Sequence, residues 1–249
     1  MAENSTITIN NLPEVIWQSS DELKKNATAA VVKVVISELI SDIPNLMPLL
    51  SSDEILRSER YHFAKDKNRF IVTRAVLKLL LGRYLGLFPG DILFRINSNK
   101  KPALFQNDNL HFNVSHSNDT ALIIIADTEV GIDVEYINPD FVYEDLLTVV
   151  STFEEQKFIK DSEGSREAFY QLWTRKEALI KATSLGMPDD LRVIPGLLGV
   201  NSIDPAYTKG RHWQVYSFNP SVDYVAALAC QETPHMQFYT VESAFSLNL

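Results

Sequence analysis

An α+β fold made of two similar halves is the architecture that this 249-residue sequence predicts. Three observations carry it. Segments of helical spacing precede β-like segments, and that order occurs twice along the chain. The β-like segments are short and bounded by turn clusters such as NSNKKP, QNDN and SND. The two series meet near 127–130, with no residue-level repeat between them.

Residues 1–50 are the least readable stretch; Trp17 and the VVKVVISELI run predict only a strand or short helix that packs somewhere. Ser51-Ser52-Asp53-Glu54 reads as a helix start, a hydroxyl cap followed by acids in the first turn. From there Ile55, Leu56, Phe63, Phe70, Ile71, Ala75, Leu79 and Leu80 recur at roughly helical spacing, which gives one bent helix or two consecutive helices over 52–85. Strands are expected at 92–96, 110–114, 120–126 and 130–136. Helical segments follow near 141–150, 152–161 and 165–184, and strands return at 212–218, 223–229 and 236–241.

With 45% hydrophobic and 22% charged residues the chain is globular in composition, which excludes disordered, collagenous and coiled-coil classes. A net charge of −9 argues against binding nucleic acid over the whole surface. The charge is unevenly divided. Residues 1–129 carry 14 basic and 15 acidic side chains, and 130–249 carry 9 and 17; within the first half, 53–101 alone holds 11 Lys/Arg against 5 Asp/Glu. One region attracts anions and another is rich in carboxylates. The lone Cys230 permits no intrachain disulfide and suits a reducing compartment. No signal peptide is visible at the N-terminus, and no apolar run approaches the roughly 20 residues that span a bilayer. The expectation is a soluble, cytoplasmic protein with neither membrane nor nucleic acid as partner.

Five constellations can carry chemistry. In Gly131-Ile132-Asp133-Val134-Glu135, strand geometry puts both carboxylates on one face and Ile132 and Val134 on the other, toward a core. Two such acids can grip a hard cation such as Mg²⁺, or simply form the polar face of an edge strand. In WTRKEALIK (173–181), the apolar stripe of Phe169, Leu172, Trp173 and Ile180 is interrupted at Lys176 and Glu177, charges that are costly there unless paired or facing a site. Glu177 and Lys181 share a face by i,i+4 spacing, as a site or as a solvated ion-pair ladder. Ser115-His116-Ser117 with Asp119 nearby invites a hydrolase triad, but no G-x-S-x-G elbow exists; a strand tip of hydroxyls and imidazole is better suited to binding phosphate. Arg57, Arg60, Arg69, Arg74, Lys78, Lys100 and Lys101 form a basic set, with arginine forks matched to phosphate oxygens. No P-loop and no G-x-G-x-x-G is present. Finally, Ser151 and Glu154 match a capping box, which leaves Glu154 as a secondary candidate for a base.

In this order, Lys101-Pro102, FNVSHS (112–117), VGIDVE (130–135), S-x-x-E (151–154) and WTRKEALIKATSLGM (173–187), preceded by the basic helix around HFAKDKNRFIVTRAVLK, resemble the 4′-phosphopantetheinyl transferases of the large surfactin-synthetase-activating type. The resemblance covers about residues 50–190. It implies an intramolecular pseudo-dimer of two α+β halves, residues 1–128 binding coenzyme A phosphates and residues 129–249 supplying metal-binding carboxylates. It also implies a reaction: the phosphopantetheine arm of coenzyme A moves to a serine of an apo acyl or peptidyl carrier protein, releasing adenosine 3′,5′-bisphosphate. Asp133, Glu135 and Glu177 would then be Mg²⁺ ligands. Lys181, Ser115 and His116 would contact phosphates, while Lys101 beside Pro102, with Arg57, Arg60, Arg69 or Arg74, would hold the 3′-phosphate and nucleotide end. Lys100 departs from the glycine that many members carry there. The serine's proton needs an acceptor, for which Glu177 is favoured over Glu154. The double-length build implies a monomer, and the 141–160 flank with Lys157 and Lys160 is the expected carrier surface. The alternatives are a non-catalytic binding module of the same fold, or another Mg²⁺-dependent phosphotransferase.

Overall fold

The computed structural model describes residues 5–23, 28–97, 99, 101–231 and 235–243; Lys100 lies outside them. The chain runs through β1 (Ser5–Asn11), β2 (Gln18–Ser19), β3 (Ala29–Val35), α1 (Ile43–Leu46), α2 (Ser52–Ser58) and α3 (Ala64–Leu85). A hairpin of β4 (Phe94–Ile96) and β5 (Pro102–Leu104) follows, then β6 (His111–Ser117), β7 (Thr120–Ala126) and β8 (Val130–Tyr136). The rest is α4 (Glu144–Val150), α5 (Phe153–Asp161), α6 (Ser165–Thr183), β9 (Gly199–Ile203), β10 (Trp213–Phe218), β11 (Tyr224–Cys230) and β12 (Met236–Thr240).

Two sheets form, ordered β2-β12-β3-β7-β6 and β8-β11-β10-β1-β9. Helix α3 packs on the outer face of the first through Ile71, Val76 and Leu80 against Val32, Val34 and Ile123. Helix α6 does the same for the second through Leu172, Ala178 and Leu179 against Val215, Val225 and Ala227. The inner faces meet through Val31, Leu122 and Ile124 on one side and Ile132, Val134, Tyr216 and Leu228 on the other. The result is a helix, sheet, sheet, helix stack in which central strands are covered on both faces. That is why TALIIIA and YVAALAC read as unbroken apolar runs: every residue of β7 and β11 is buried.

The terminal strands are exchanged between the sheets. Strand β1 lies in the second sheet, parallel to β10, and β12 lies in the first, parallel to β3. Each therefore crosses the 128/129 junction, and their partners are far away in sequence.

At the start of 52–85 the expected cap is present. Ser51 and Glu54 close a capping box on α2, and the region divides into two helices at Glu59–Phe63. The second expected box is displaced by one residue. The Ser151 hydroxyl donates to the Leu147 carbonyl at the end of α4, so the cap of α5 is Thr152, and Glu155, not Glu154, closes the box.

Gly131 decides how closely β8 approaches α6. A Cβ there would lie 2.1 Å from the Ala178 carbonyl oxygen and 2.4 Å from the Ala182 nitrogen, both main-chain atoms. Gly131→Ala must push the helix off the strand. Its expected effect is a loss of roughly 2–3 kcal/mol in stability, as for other overpacked cores, together with most of any activity. Urea unfolding checks the first; a variant as stable as the parent would contradict the close packing.

Candidate active site

The site lies where β6, the edge of the first sheet, meets β8, the edge of the second, under the C-terminal half of α6. Asp133 and Glu135 alternate on β8 with the core residues Ile132 and Val134 and so face the helix. On α6, Glu177 and Lys181 stand one turn apart on the face toward them. The Lys181 ammonium donates to Asp133 Oδ1 (2.7 Å) and to Ser115 Oγ (3.1 Å). Ser115 in turn donates to Asp133 Oδ1 at 2.8 Å, and Ser117 donates to Glu135 Oε2 at 2.8 Å.

The electrostatics are lopsided. Among the described residues Lys181 is the cation paired with this cluster, against three carboxylates. Burial, then the charge of Asp133, pushes the Glu135 carboxyl up to about 7. The same two causes, in the same order, raise that of Glu177. Two carboxylate oxygens, Asp133 Oδ2 and Glu177 Oε1, are buried without a hydrogen-bond partner. Such atoms are costly to leave unmatched, and together they form a place for positive charge. A raised carboxyl also has a consequence for pH. Glu135 binds its proton more tightly folded than unfolded, so its contribution to stability is full below about 4.5 and is lost as pH rises through about 7. The unliganded protein's melting temperature should therefore decline over that window, and Glu135→Gln should flatten the decline. An unchanged slope in the variant would refute the assignment.

The basic residues divide. Arg57, Arg74, Pro102 and His116 line a single cavity of about 200 Å³ with Tyr61, Phe70, Thr73 and Phe112. Arg74 lies over the Phe94 ring (4.6 Å) and Arg57 over that of Phe70 (5.1 Å), so both guanidiniums are stacked and pre-oriented. The imidazole of His116, at the cavity mouth, is held below its ordinary pKa by the desolvating walls and then by Arg69. Arg60 is exposed and is not part of the cavity. Arg69 is engaged by Asp66 at 2.7 Å. Lys78 is buried on the Leu49 carbonyl and Glu54. Lys101 donates to the main-chain carbonyls of Val130 (2.8 Å) and Lys181 (2.7 Å), and burial lowers its pKa to about 8. It ties β8 to the end of α6.

No triad forms, in keeping with the missing elbow, because Asp119 takes the Ser37 amide and hydroxyl. Glu154 is exposed in the first turn of α5. The interrupted stripe of α6 has two different explanations: Lys176 is buried and paired with Glu155 at 2.8 Å, whereas Glu177 faces the site. Thr73 escaped notice in the sequence. Its buried hydroxyl has no partner and belongs to a residue of the cavity wall; nothing in the helical pattern around it distinguishes it from a core threonine.

Residues 129–229 match the family model described as the 4′-phosphopantetheinyl transferase superfamily, and residues 40–129 match that of the 4′-phosphopantetheinyl transferase N-terminal region. The chain is 34% identical over 196 residues to the 4′-phosphopantetheinyl transferase HetI of Nostoc, covering 76% of this chain and 81% of that protein. It is 29% identical over 214 residues to psf-1 of Bacillus pumilus, with 82% and 90% covered. Against Sfp of Bacillus subtilis it is 25% identical over 141 residues, with 57% and 63% covered. The protein belongs to the 4′-phosphopantetheinyl transferases, and is a transferase enzyme.

Proposed function

We propose that this protein moves the 4′-phosphopantetheine arm of coenzyme A onto a serine of an apo acyl or peptidyl carrier protein, in a Mg²⁺-dependent reaction that releases adenosine 3′,5′-bisphosphate. The observation that carries the proposal is the adjacency of a stacked-arginine cavity and a cluster of three carboxylates with two unmatched oxygens.

The acids fit a magnesium ion. Among the described residues no three acidic, histidine or cysteine side chains are grouped so that they could hold a metal by themselves, but Mg²⁺ takes one or two carboxylates and completes its shell with water and substrate phosphates. Asp133, Glu135 and Glu177 would hold it. When bound, Mg²⁺ polarises the pyrophosphate oxygens and offsets the charge that develops on the leaving group.

The chain's own residues do the rest. Arg57, Arg74 and His116 bind the nucleotide end with its 3′-phosphate. Lys181, more than a quarter of its side chain exposed beside Asp133, reaches the pyrophosphate. The carrier serine oxygen attacks the phosphorus that bears pantetheine, the bond from that phosphorus to the bridging oxygen breaks, and the serine proton passes to a carboxylate. Glu177, whose raised pKa suits an acceptor, takes it. Glu154 is too exposed for the role, and its neighbour Glu155 is engaged by Lys176. Positioning and charge neutralisation supply the rate, as is usual in phosphoryl-type transfer.

The carrier would approach along α4 and α5, where Val149 and Phe153 are 62% and 76% exposed beside the exposed Lys157 and Lys160. Both halves of the site lie in one chain, so a monomer suffices. Among the described residues no helix is long and apolar enough to cross a membrane, and a cytoplasmic setting, where carrier proteins and coenzyme A meet, completes the proposal. The test is product stoichiometry. Chromatography of a mixture of apo-carrier, coenzyme A, Mg²⁺ and enzyme should show adenosine 3′,5′-bisphosphate formed one for one with holo-carrier. Turnover of coenzyme A without modified carrier would overturn the reading.

A further inference from the structure

Strands β6 and β8 border different sheets and do not pair through their backbones. Their junction is made by side chains. Asn113 Oδ1, Ser115 Oγ and Ser117 Oγ, alternate residues on one face of β6, accept the main-chain N–H groups of Ile132 (2.9 Å), Val134 (3.4 Å) and Tyr136 (3.1 Å), alternate residues of β8. The ladder satisfies the exposed donors of an edge strand. It also fixes where the two hydroxyl protons go. A serine has one proton to donate, and with its oxygen engaged by the N–H of residue 134 or 136, each gives that proton to the carboxylate one residue earlier: Ser115 to Asp133 and Ser117 to Glu135.

We infer that Ser115 and Ser117 are positioning residues for the carboxylates, which hold one oxygen of Asp133 and one of Glu135 so that each carboxylate is aimed into the site. The inference rests on the metal-binding reading of those acids. It accounts for the polar motif N-x-S-x-S of β6: all three side chains join the halves, and the two serines also orient the acids. The Asp133 oxygen left over, Oδ2, is one of the unpartnered atoms of the site.

Ser117 is the better probe, because it does not touch Lys181 and is only half-buried. Titration calorimetry of Mg²⁺ and Mn²⁺ into the full-length protein saturated with coenzyme A, without carrier, reads metal affinity apart from turnover. Hydrogen-bonding partners of metal ligands commonly account for 10- to 100-fold in affinity. Ser117→Ala should therefore weaken metal binding about 10-fold, with the coenzyme A KM within two-fold of the parent and the melting temperature little changed. Ser117→Thr, which restores a hydroxyl, should recover the affinity. Metal affinity unchanged in Ser117→Ala, or a selective rise in the coenzyme A KM, would overturn the positioning role while the parent still binds metal and transfers. A parent that binds no divalent cation would overturn both this inference and the function it rests on, so the two failures are distinguishable.

Discussion

Asp133→Asn should reduce carrier modification by roughly a thousand-fold, the scale expected when a centrally placed charge-stabilising group is lost, without destabilising the fold. The amide is nearly isosteric. Its oxygen can still accept from Lys181 and Ser115, as Oδ1 does now at 2.7 and 2.8 Å. Its NH₂, however, would stand where the unpartnered Oδ2 points and would present a donor where the proposed cation would bind. Removing the charge also relieves Glu135 and Glu177, both of which are held up partly by Asp133. A melting temperature equal to or above the parent's should thus accompany the loss of activity. An active Asp133→Asn, or an inactive one that is also unfolded, would remove the basis for assigning the acid to chemistry rather than to structure.

The second large effect belongs to stability. Lys176 is fully buried, with its ammonium on Glu155 Oε2 and the Val150 carbonyl, both at 2.8 Å, and on the Leu191 carbonyl at 3.3 Å. Burial lowers its pKa and Glu155 opposes the shift. Glu155 also accepts the Gly196 amide and caps α5, so the pair joins the ends of α4 and α5 and the segment after α6 to the helix that carries Glu177. Lys176→Met leaves a buried carboxylate without its partner and should cost about 3–5 kcal/mol. For a chain of this length that amounts to a fall of order ten degrees in melting temperature. Lys176→Met with Glu155→Gln should recover part of it, because the amide keeps the cap and carries no charge. A single variant costing less than about 1 kcal/mol would show the pair to be dispensable.

Much of this was legible in the sequence because the relevant signals are local. Alternation on β8 put Asp133 and Glu135 on one face, and the i,i+4 spacing on α6 put Glu177 and Lys181 on another; the fold then brings those faces together. The same reading flagged residues 176 and 177 as charges on an apolar stripe, but could not say that one is a buried tie and the other faces the site, because Glu155 lies 21 residues away. The displaced cap has a similar cause. Ser151 and Thr152 are both acceptable caps, and the choice depends on Ser151 reaching back to Leu147 to close the preceding helix. Residues 1–50 were opaque, and the strand read at 236–241 could not be assigned to a sheet, because β1 and β12 pair with β10 and β3 more than 200 residues away, in each other's half. Arginines and lysines were the least readable. Arg74 and Lys78 share a helix face, yet one lines the cavity and the other is buried on the Leu49 carbonyl.

Intact-mass spectrometry of an apo carrier protein, incubated with this enzyme and coenzyme A in Mg²⁺ or in a chelator, decides whether the carboxylate cluster serves a metal-dependent transfer. The site described here predicts a single phosphopantetheine added to the carrier serine in Mg²⁺ and none in the chelator. No mass gain across acyl and peptidyl carriers, or equal gain with the divalent cation removed, would contradict it.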